Sequence, residues 1–344
     1  MGKLMSTVER PDAALIATLG AKNFHPLWDR YKKITPLHPR PKDSTFLWRW
    51  RDVEPLTARA AAEVPIEDVE RRAIIMVNPA FGGETVTTSN LLAAFTVLEP
   101  GDRAVPHRHT AAAIRFSTRA EGSVTIVNGR RLEMREGDLI LTPPMCWHGH
   151  INESDHRTVW FDAANIPLIN SLDANFFEPG TREETEFWKV DEGEERLWTA
   201  AGLVAAGARH TASHSPKYRY AGEATRRLLE AVPPGGDGAK TLRYVNPVTG
   251  GPVMPTLDCY ATRLAKGTAT RPRRATYNMV CLVVAGRGRS TVGDATFEWS
   301  KHDVFTIPHW TWASHQAGDG DADFFIATDR AVHERLDLVR EEMQ

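Results

Sequence analysis

Residues 93–102 read AAFTVLEPGD, 123–131 SVTIVNGRR, 134–144 MREGDLILTPP and 157–162 RTVWFD. Each is an apolar run of strand length closed by Gly, Pro, Asn or Asp. Short strands with such turns predict an all-β sandwich or barrel from about residue 90 to 162. The texture returns from about residue 241, in LDCYATRLAKGT (257–268), NMVCLVVAGRGRSTVGDATFEW (278–299), DVFTIP (303–308) and DFFIATD (323–329). The two regions share landmarks at a near-constant offset. Gly101, His107 and His109 fall on Gly267, Arg273 and Ala275. Gly122 falls on Gly288, Gly137-Asp138 on His302-Asp303, and Trp147 on Trp312. Recurrence at one offset points to an internal duplication.

The flanks read differently. Residues 1–89 are mixed and mostly helical. An amphipathic stretch starts at Asp12 behind Pro11, an extended proline-rich arm covers 34–47, and Trp48 and Trp50 follow at strand-like spacing. A helix is expected over 54–62 and a buried strand over 71–78. Residues 171–240 lose the alternation and hold helix-like stretches at 183–204 and 222–231 before the flexible run that begins at Pro233. The expected organisation is a helical and arm region over 1–89, a first barrel over 90–170 and a linker with helices over 171–240. A second barrel over 241–328 and a C-terminal helix over 329–344 complete it.

Composition excludes several classes. The 344 residues carry 42 basic and 44 acidic side chains, a net charge of −2, so nucleic acid and anionic membranes are not expected partners. No run approaches the roughly 18 apolar residues of a membrane span. The opening MGKLMSTVERPD has no long apolar region, so no signal peptide is expected. Gly2 and Ser6 match the myristoylation pattern, which is too short to weigh without a second membrane signal. Cys146, Cys259 and Cys281 are far apart and form no CxxC pair, which suits a reducing, cytoplasmic location.

The sharpest chemical feature is His107-Arg108-His109. Residues two apart on a strand face one side, so both imidazoles can enter one barrel. His148-Gly149-His150 repeats the spacing on another expected strand. Two such pairs in one small barrel point to metal, for which neutral imidazole is the commonest protein ligand. Arg115 shares the strand parity of His109 and offers a fork for a carboxylate. Trp147 either lines the pocket or packs in the sandwich. Cys146 has no Cys-His-Asn surroundings and reads as structural.

The spacing G-x5-H-x-H, followed by Pro and then Trp-His, resembles the cupin arrangement, a small jelly roll with a metal inside. The carboxylate usual after the second His is missing, since Ala113 and Ile114 stand there. The fold class implied is mainly β, a duplicated cupin of two jelly-roll barrels with helical N-terminal and linker segments. The chain further resembles the gentisate 1,2-dioxygenase family, which includes salicylate and 1-hydroxy-2-naphthoate dioxygenases. The matching stretches are FHPLWDRY (24–31), ERRAIIMVNP (70–79), LEPGDRAVPHRHTAAAIRF (98–116), GDLILTPPMCWHGH (137–150), VWFDAANIPL (159–168) and LRYVNPVTGGPVMPT (242–256).

That resemblance implies an extradiol-type ring-cleaving enzyme with one Fe(II) per chain, in the first cupin. The ligands it implies are His107, His109 and His148, with His150 near substrate or oxygen; the alternative is that His150 also binds and closes the site. It implies that Arg115 and Arg71 hold the substrate carboxylate and that Asp162 orients His150 or an arginine. Leu92 and Thr96 fall where relatives carry Trp and Gln against substrate. Arg119 and Ala120 replace an acid and a glycine. Substrate identity is therefore open between gentisate and a substituted salicylate such as 5-nitrosalicylate. In the second cupin Arg273, Ala275 and Ala313 replace the ligands, so a metal-free structural role is expected there, with His302 and His309 facing solvent. The implied partners are a small aromatic acid and O2, in a homo-oligomer, by resemblance a tetramer. Fold alone does not give function; another cupin metalloenzyme or a non-catalytic ligand-binding cupin are the alternatives.

Overall fold

The computed structural model describes residues 11–180, 206–207 and 209–344. The helix expected at 183–204 and the Gly2/Ser6 pattern lie outside these residues. The chain falls into two units, Met1–Arg40 and Pro41–Gln344. The first holds helices α1 (Ala13–Ala21) and α2 (Leu27–Ile34), neither with a buried residue. Trp28 Nε1 donates to Asp12 at 2.8 Å, while Phe24, Leu27, Tyr31 and Ile34 stay exposed.

The second unit begins with β1 (Leu47–Trp48), α3 (Trp50–Glu63) and β2 (Ala73–Ile75). A jelly roll follows: β3 (Leu92–Leu98), β4 (Arg103–His109), β5 (Ala113–Arg119), β6 (Ser123–Val127), β7 (Arg130–Glu133), β8 (Leu139–Thr142), β9 (His148–Asn152) and β10 (Thr158–Ala164). Helix α4 (Ile166–Ser171) and β11 (Phe177–Pro179) close the half. The described part of the second half repeats this order. It runs β12 (Arg219–Tyr220), α5 (Gly222–Ala231) and β13 (Lys240–Arg243), then β14 (Asp258–Leu264), β15 (Arg273–Ala275), β16 (Met279–Ala285) and β17 (Arg287–Val292). It ends with β18 (Ala295–Ser300), β19 (Val304–Ile307), β20 (Ala313–Ala317), β21 (Ala322–Thr328), α6 (Arg330–Arg335) and β22 (Glu341–Met343). The duplication thus reaches well past the barrels.

Each half pairs a six-stranded with a five-stranded antiparallel sheet, β12-β8-β5-β10-β3-β2 with β11-β4-β9-β6-β7, and β1-β19-β16-β21-β14-β13 with β18-β17-β20-β15-β22. The leading strands are exchanged. β1 precedes the first roll but pairs with β19 of the second, and β12 precedes the second but pairs with β8 of the first. Strand alternation explains how the rolls join. Phe95, Phe116 and Phe161 point out of the first roll and share one core with Val280, Leu282 and Phe325 of the second. Phe116 stacks on Phe325 at 4.3 Å between ring centroids. Burying each such side chain is worth about 1.5–3 kcal/mol. The opposite faces of these strands line the barrel interiors.

Two turns lock the exchange. Gly137 and His302 occupy the same left-handed turn, with φ of 83° and 71°. The aspartate after each accepts from the backbone N–H three residues earlier, Asp138 from Arg135 at 3.0 Å and Asp303 from Ser300 at 2.9 Å. Each also accepts from the first N–H of the helix that follows the exchanged strand, Gly222 at 2.9 Å and Trp50 at 2.7 Å. This satisfies an orphan helix donor across the two halves. A Cβ on Gly222 would lie 2.5 Å from the carbonyl carbon of Gly137. Gly222→Ala is therefore expected to cost about 1–3 kcal/mol, as overpacking does. An unchanged denaturation midpoint would contradict this close approach.

Four expectations need correction. The tail over 329–344 is not one helix: α6 ends at Arg335 and β22 pairs with β15, as β11 pairs with β4. Trp50 starts α3 rather than continuing a strand, because Asp303 caps that helix there. The strand expected over 71–78 shrinks to β2, whose Ala73 is exposed because β2 is a sheet edge. His302 does not face solvent: the exchanged segment covers it, its ring meets Trp50 at 5.2 Å, and burial pulls its pKa down to about 4. His309 is half-buried and its N–H donates to Asn278 at 3.0 Å.

Candidate metal centre

β4 and β9 lie side by side with His107 opposite His148. His109, two residues along, faces the same way. The ligand atoms of His107, His109 and His148 lie within 4.8 Å of one another. Among the described residues no other group of three or more His, Cys, Asp or Glu gathers this closely. His109 Nδ1 lies 2.8 Å from the carbonyl oxygen of Ala111, and His148 Nδ1 lies 2.9 Å from that of Cys146. Each Nδ1–H donates there, which leaves Nε2 free as a ligand. Nε2 of His148 is buried without a hydrogen-bond partner, an orphan that asks for an explanation. Burial, reinforced by Arg71 and Arg115, holds all three imidazoles below their ordinary pKa. They are thus neutral, the state that ligates, and this donor set fits a metal ion.

His150 stays outside the group. Its ring is 6.2 Å from that of His148, and its Nδ1 lies 3.0 Å from Thr125 Oγ1. Three histidines gather, not four. Burial keeps His150 neutral as well.

The facing sheet supplies the charges. Arg115 on β5 lies opposite Asp162 on β10, with Nε 3.5 Å from Oδ1. Arg115 also donates to Thr142 Oγ1, and Thr96 Oγ1 donates to Asp162 Oδ2 at 2.5 Å. Arg71, just before β2, donates to the Val105 carbonyl at 3.0 Å, and its Nη2 is 3.4 Å from His107 Nε2. Burial lowers the pKa of Arg115 and raises that of Asp162. Burial, then repulsion from Arg115, brings Arg71 to about 9. Arg115 Nε and Asp162 Oδ1 are buried without hydrogen bonds. Asp162, and the more exposed Glu70 beside Arg71, offset the two guanidiniums, yet Arg115 Nε keeps an unmet donor for an anion.

Leu92 lies on the same inner face, opposite Ala164 and half-buried towards the mouth. Trp147 does not line this pocket. Arg108, on the outer face of β4, lies over its ring at 4.8 Å, and Trp147 packs there. Sequence reasoning missed Thr142, Thr125 and Phe177. Thr142 and Thr125 are inward positions of strands already legible, so parity alone would have found them. Phe177 lies in a segment with no visible alternation, yet β11 pairs it with His109 and its ring meets His107 at 4.9 Å.

The second barrel keeps the frame without these groups. Arg273 faces Ala313 where His107 faces His148, and Cys281 faces Ile326 where Arg115 faces Asp162. His315 is the survivor, with Nδ1 2.7 Å from Ser290 Oγ, as His150 is with Thr125.

A cupin domain model matches residues 94–164. The chain is 36% identical over 339 residues to 5-aminosalicylate 1,2-dioxygenase of Comamonas sp, covering 96% of this chain and 89% of that one. It is 37% identical over 333 residues to a gentisate 1,2-dioxygenase of Streptomyces sp, covering 92% and 90%. It belongs to the gentisate and salicylate 1,2-dioxygenase family of cupins. A crystal structure of salicylate 1,2-dioxygenase from Pseudoaminobacter salicylatoxidans, in adducts with gentisate, superposes with a TM-score of 0.90 at 33% identity. It covers 100% of this chain and 97% of that one. The duplicated architecture is thus shared with a family whose members include these 1,2-dioxygenases.

Proposed function

We propose that the chain is an extradiol-type, Fe(II)-dependent 1,2-dioxygenase of a 2-hydroxybenzoate such as gentisate or a 5-substituted salicylate. The carrying observation is the three-histidine group, with His107 and His148 buried and His109 half-buried, beside Arg115 and Arg71 in one barrel. Bound there, Fe(II) would supply redox chemistry towards the aromatic acid and dioxygen. His107, His109 and His148 would hold it. Arg115 and Arg71 take the substrate carboxylate, and a buried guanidinium gains most from such a partner. Asp162 keeps Arg115 aimed inward, and Thr96 and Thr142 hold that pair in place. His150, neutral and tied to Thr125, presents its other nitrogen for hydrogen bonding to substrate oxygens. Leu92 closes the ring side of the pocket. Cleavage falls between the carboxyl-bearing and hydroxyl-bearing carbons, and both oxygen atoms enter the product.

Three buried free cysteines suit a reducing, cytoplasmic setting. Among the described residues no helix is long and apolar enough to cross a membrane. By family resemblance the assembly is a homo-oligomer, with a tetramer expected. The test of function is oxygen uptake after anaerobic Fe(II) loading, against gentisate, salicylate, 5-amino-, 5-chloro- and 5-nitrosalicylate, and 1-hydroxy-2-naphthoate. Uptake with at least one is expected. No uptake with any, despite one iron per chain, would point to another metalloenzyme on the same fold.

A further inference from the structure

His109 and His148 each anchor Nδ1 on a backbone carbonyl two residues away. His107 has no such anchor. Its Nδ1 is buried and makes no hydrogen bond. On its other side, Nε2 faces the Arg71 guanidinium at 3.4 Å. A guanidinium only donates, so the lone pair sits on Nε2 and the proton on Nδ1. Glu70 is the carboxylate beside it, with Oε2 3.6 Å from Nδ1. The Glu70 side chain is 51% exposed and so can swing the short distance to bonding range. Residues 70 and 71 thus bracket the ring, a carboxylate at one nitrogen and a cation at the other. Arg71 Nη1 also donates to the Glu70 carbonyl at 2.5 Å, which fixes the two relative to each other. Asp162, the carboxylate on the inner face of β10, is already engaged by Thr96 and Arg115.

We propose that Glu70 is the positioning residue of His107: it accepts the Nδ1 proton, fixes ring and tautomer, and turns Nε2 to the metal. This rests on the metal-centre reading above. A carboxylate behind a ligating histidine raises its basicity as well as its order. His107 is then the ligand with an anionic partner, where His109 and His148 have neutral ones.

The test compares anaerobic Fe(II) affinity of wild type, Glu70→Ala and Glu70→Gln by competition with a chelator. Co(II) absorption serves as a second, activity-free probe of ligand geometry. Glu70→Ala is expected to weaken Fe(II) binding about 10–100-fold and to alter the Co(II) bands. Glu70→Gln should fall between, because its amide oxygen still accepts from Nδ1–H without charge. Melting of the metal-free proteins checks the fold; if the alanine variant melts early, the glutamine variant carries the comparison. Fe(II) affinity within about twofold of wild type, against the 10–100-fold expected, would overturn the proposal. So would a raised KM with unchanged affinity, which assigns Glu70 to Arg71 and the substrate instead. A wild type that itself holds no stoichiometric Fe(II) is a different failure: it removes the metal centre, and the role of Glu70 with it.

Discussion

The His148→Ala protein is expected to fold normally, retain no Fe(II) through desalting and take up no oxygen above the metal-free background. Removing a ligand must cost more than the about 10–100-fold that follows loss of an outer partner. The fold should survive, because the duplicate already carries alanine at this place. Ala313 opposes Arg273 on β20 as His148 opposes His107 on β9, and the strand pairing is intact. The change removes the unpartnered Nε2 but also the Nδ1–H bond to the Cys146 carbonyl and a buried ring, so the metal-free variant should fold with a midpoint somewhat below that of metal-free wild type. Iron analysis and a denaturation curve check both halves of the statement. Full iron content in this variant would remove His148 from the ligand set.

Arg115→Met should raise KM for the aromatic acid by about 10–100-fold, as expected when a charge-assisted hydrogen bond worth about 1.5–3 kcal/mol is lost. It should also destabilise the protein, because Asp162 is left buried beside an apolar chain; breaking a buried pair in this way costs about 3–5 kcal/mol. The duplicate shows how to separate the two effects. Where the first barrel has Arg115 opposite Asp162, the second has Cys281 opposite Ile326. The double variant Arg115→Cys with Asp162→Ile should recover most of the stability and none of the substrate affinity. An unchanged KM for Arg115→Met would move carboxylate binding to Arg71 alone.

Much of this was legible in the sequence, for identifiable reasons. Period-2 alternation and Gly-Asp turns mark both barrels, because strands of the six-stranded sheets bury one face in the shared core and the other in a barrel. His107 and His109 share a face by parity, as do His148 and His150, and the resemblance pointed to His148 as the third member of the group that gathers. Trp147 was open between pocket and packing, because a neighbour of a ligand can turn either way; its ring lies against Arg108 on the outer face of β4. The exchange of β1 and β12 was invisible, although strand-like spacing marks Trp48. These strands have two residues each, and their partners lie in the opposite half of the chain. For the same reason the tail read as a helix: β22 is a strand only because β15 offers an edge. His302 looked like a solvent turn since nothing local says that α3 arrives over it. Glu70 and Phe177 reach the centre from segments whose own patterns are silent.

Ring cleavage is tested most directly by a single turnover of the Fe(II)-loaded protein under isotopically labelled dioxygen, with the oxidised acid analysed by mass spectrometry. The expected product is a ring-opened oxo-dicarboxylate carrying both labelled atoms, formed with the substrate that gives uptake. A product with one labelled atom and an intact ring would mean hydroxylation. That result would contradict a 1,2-dioxygenase at this centre.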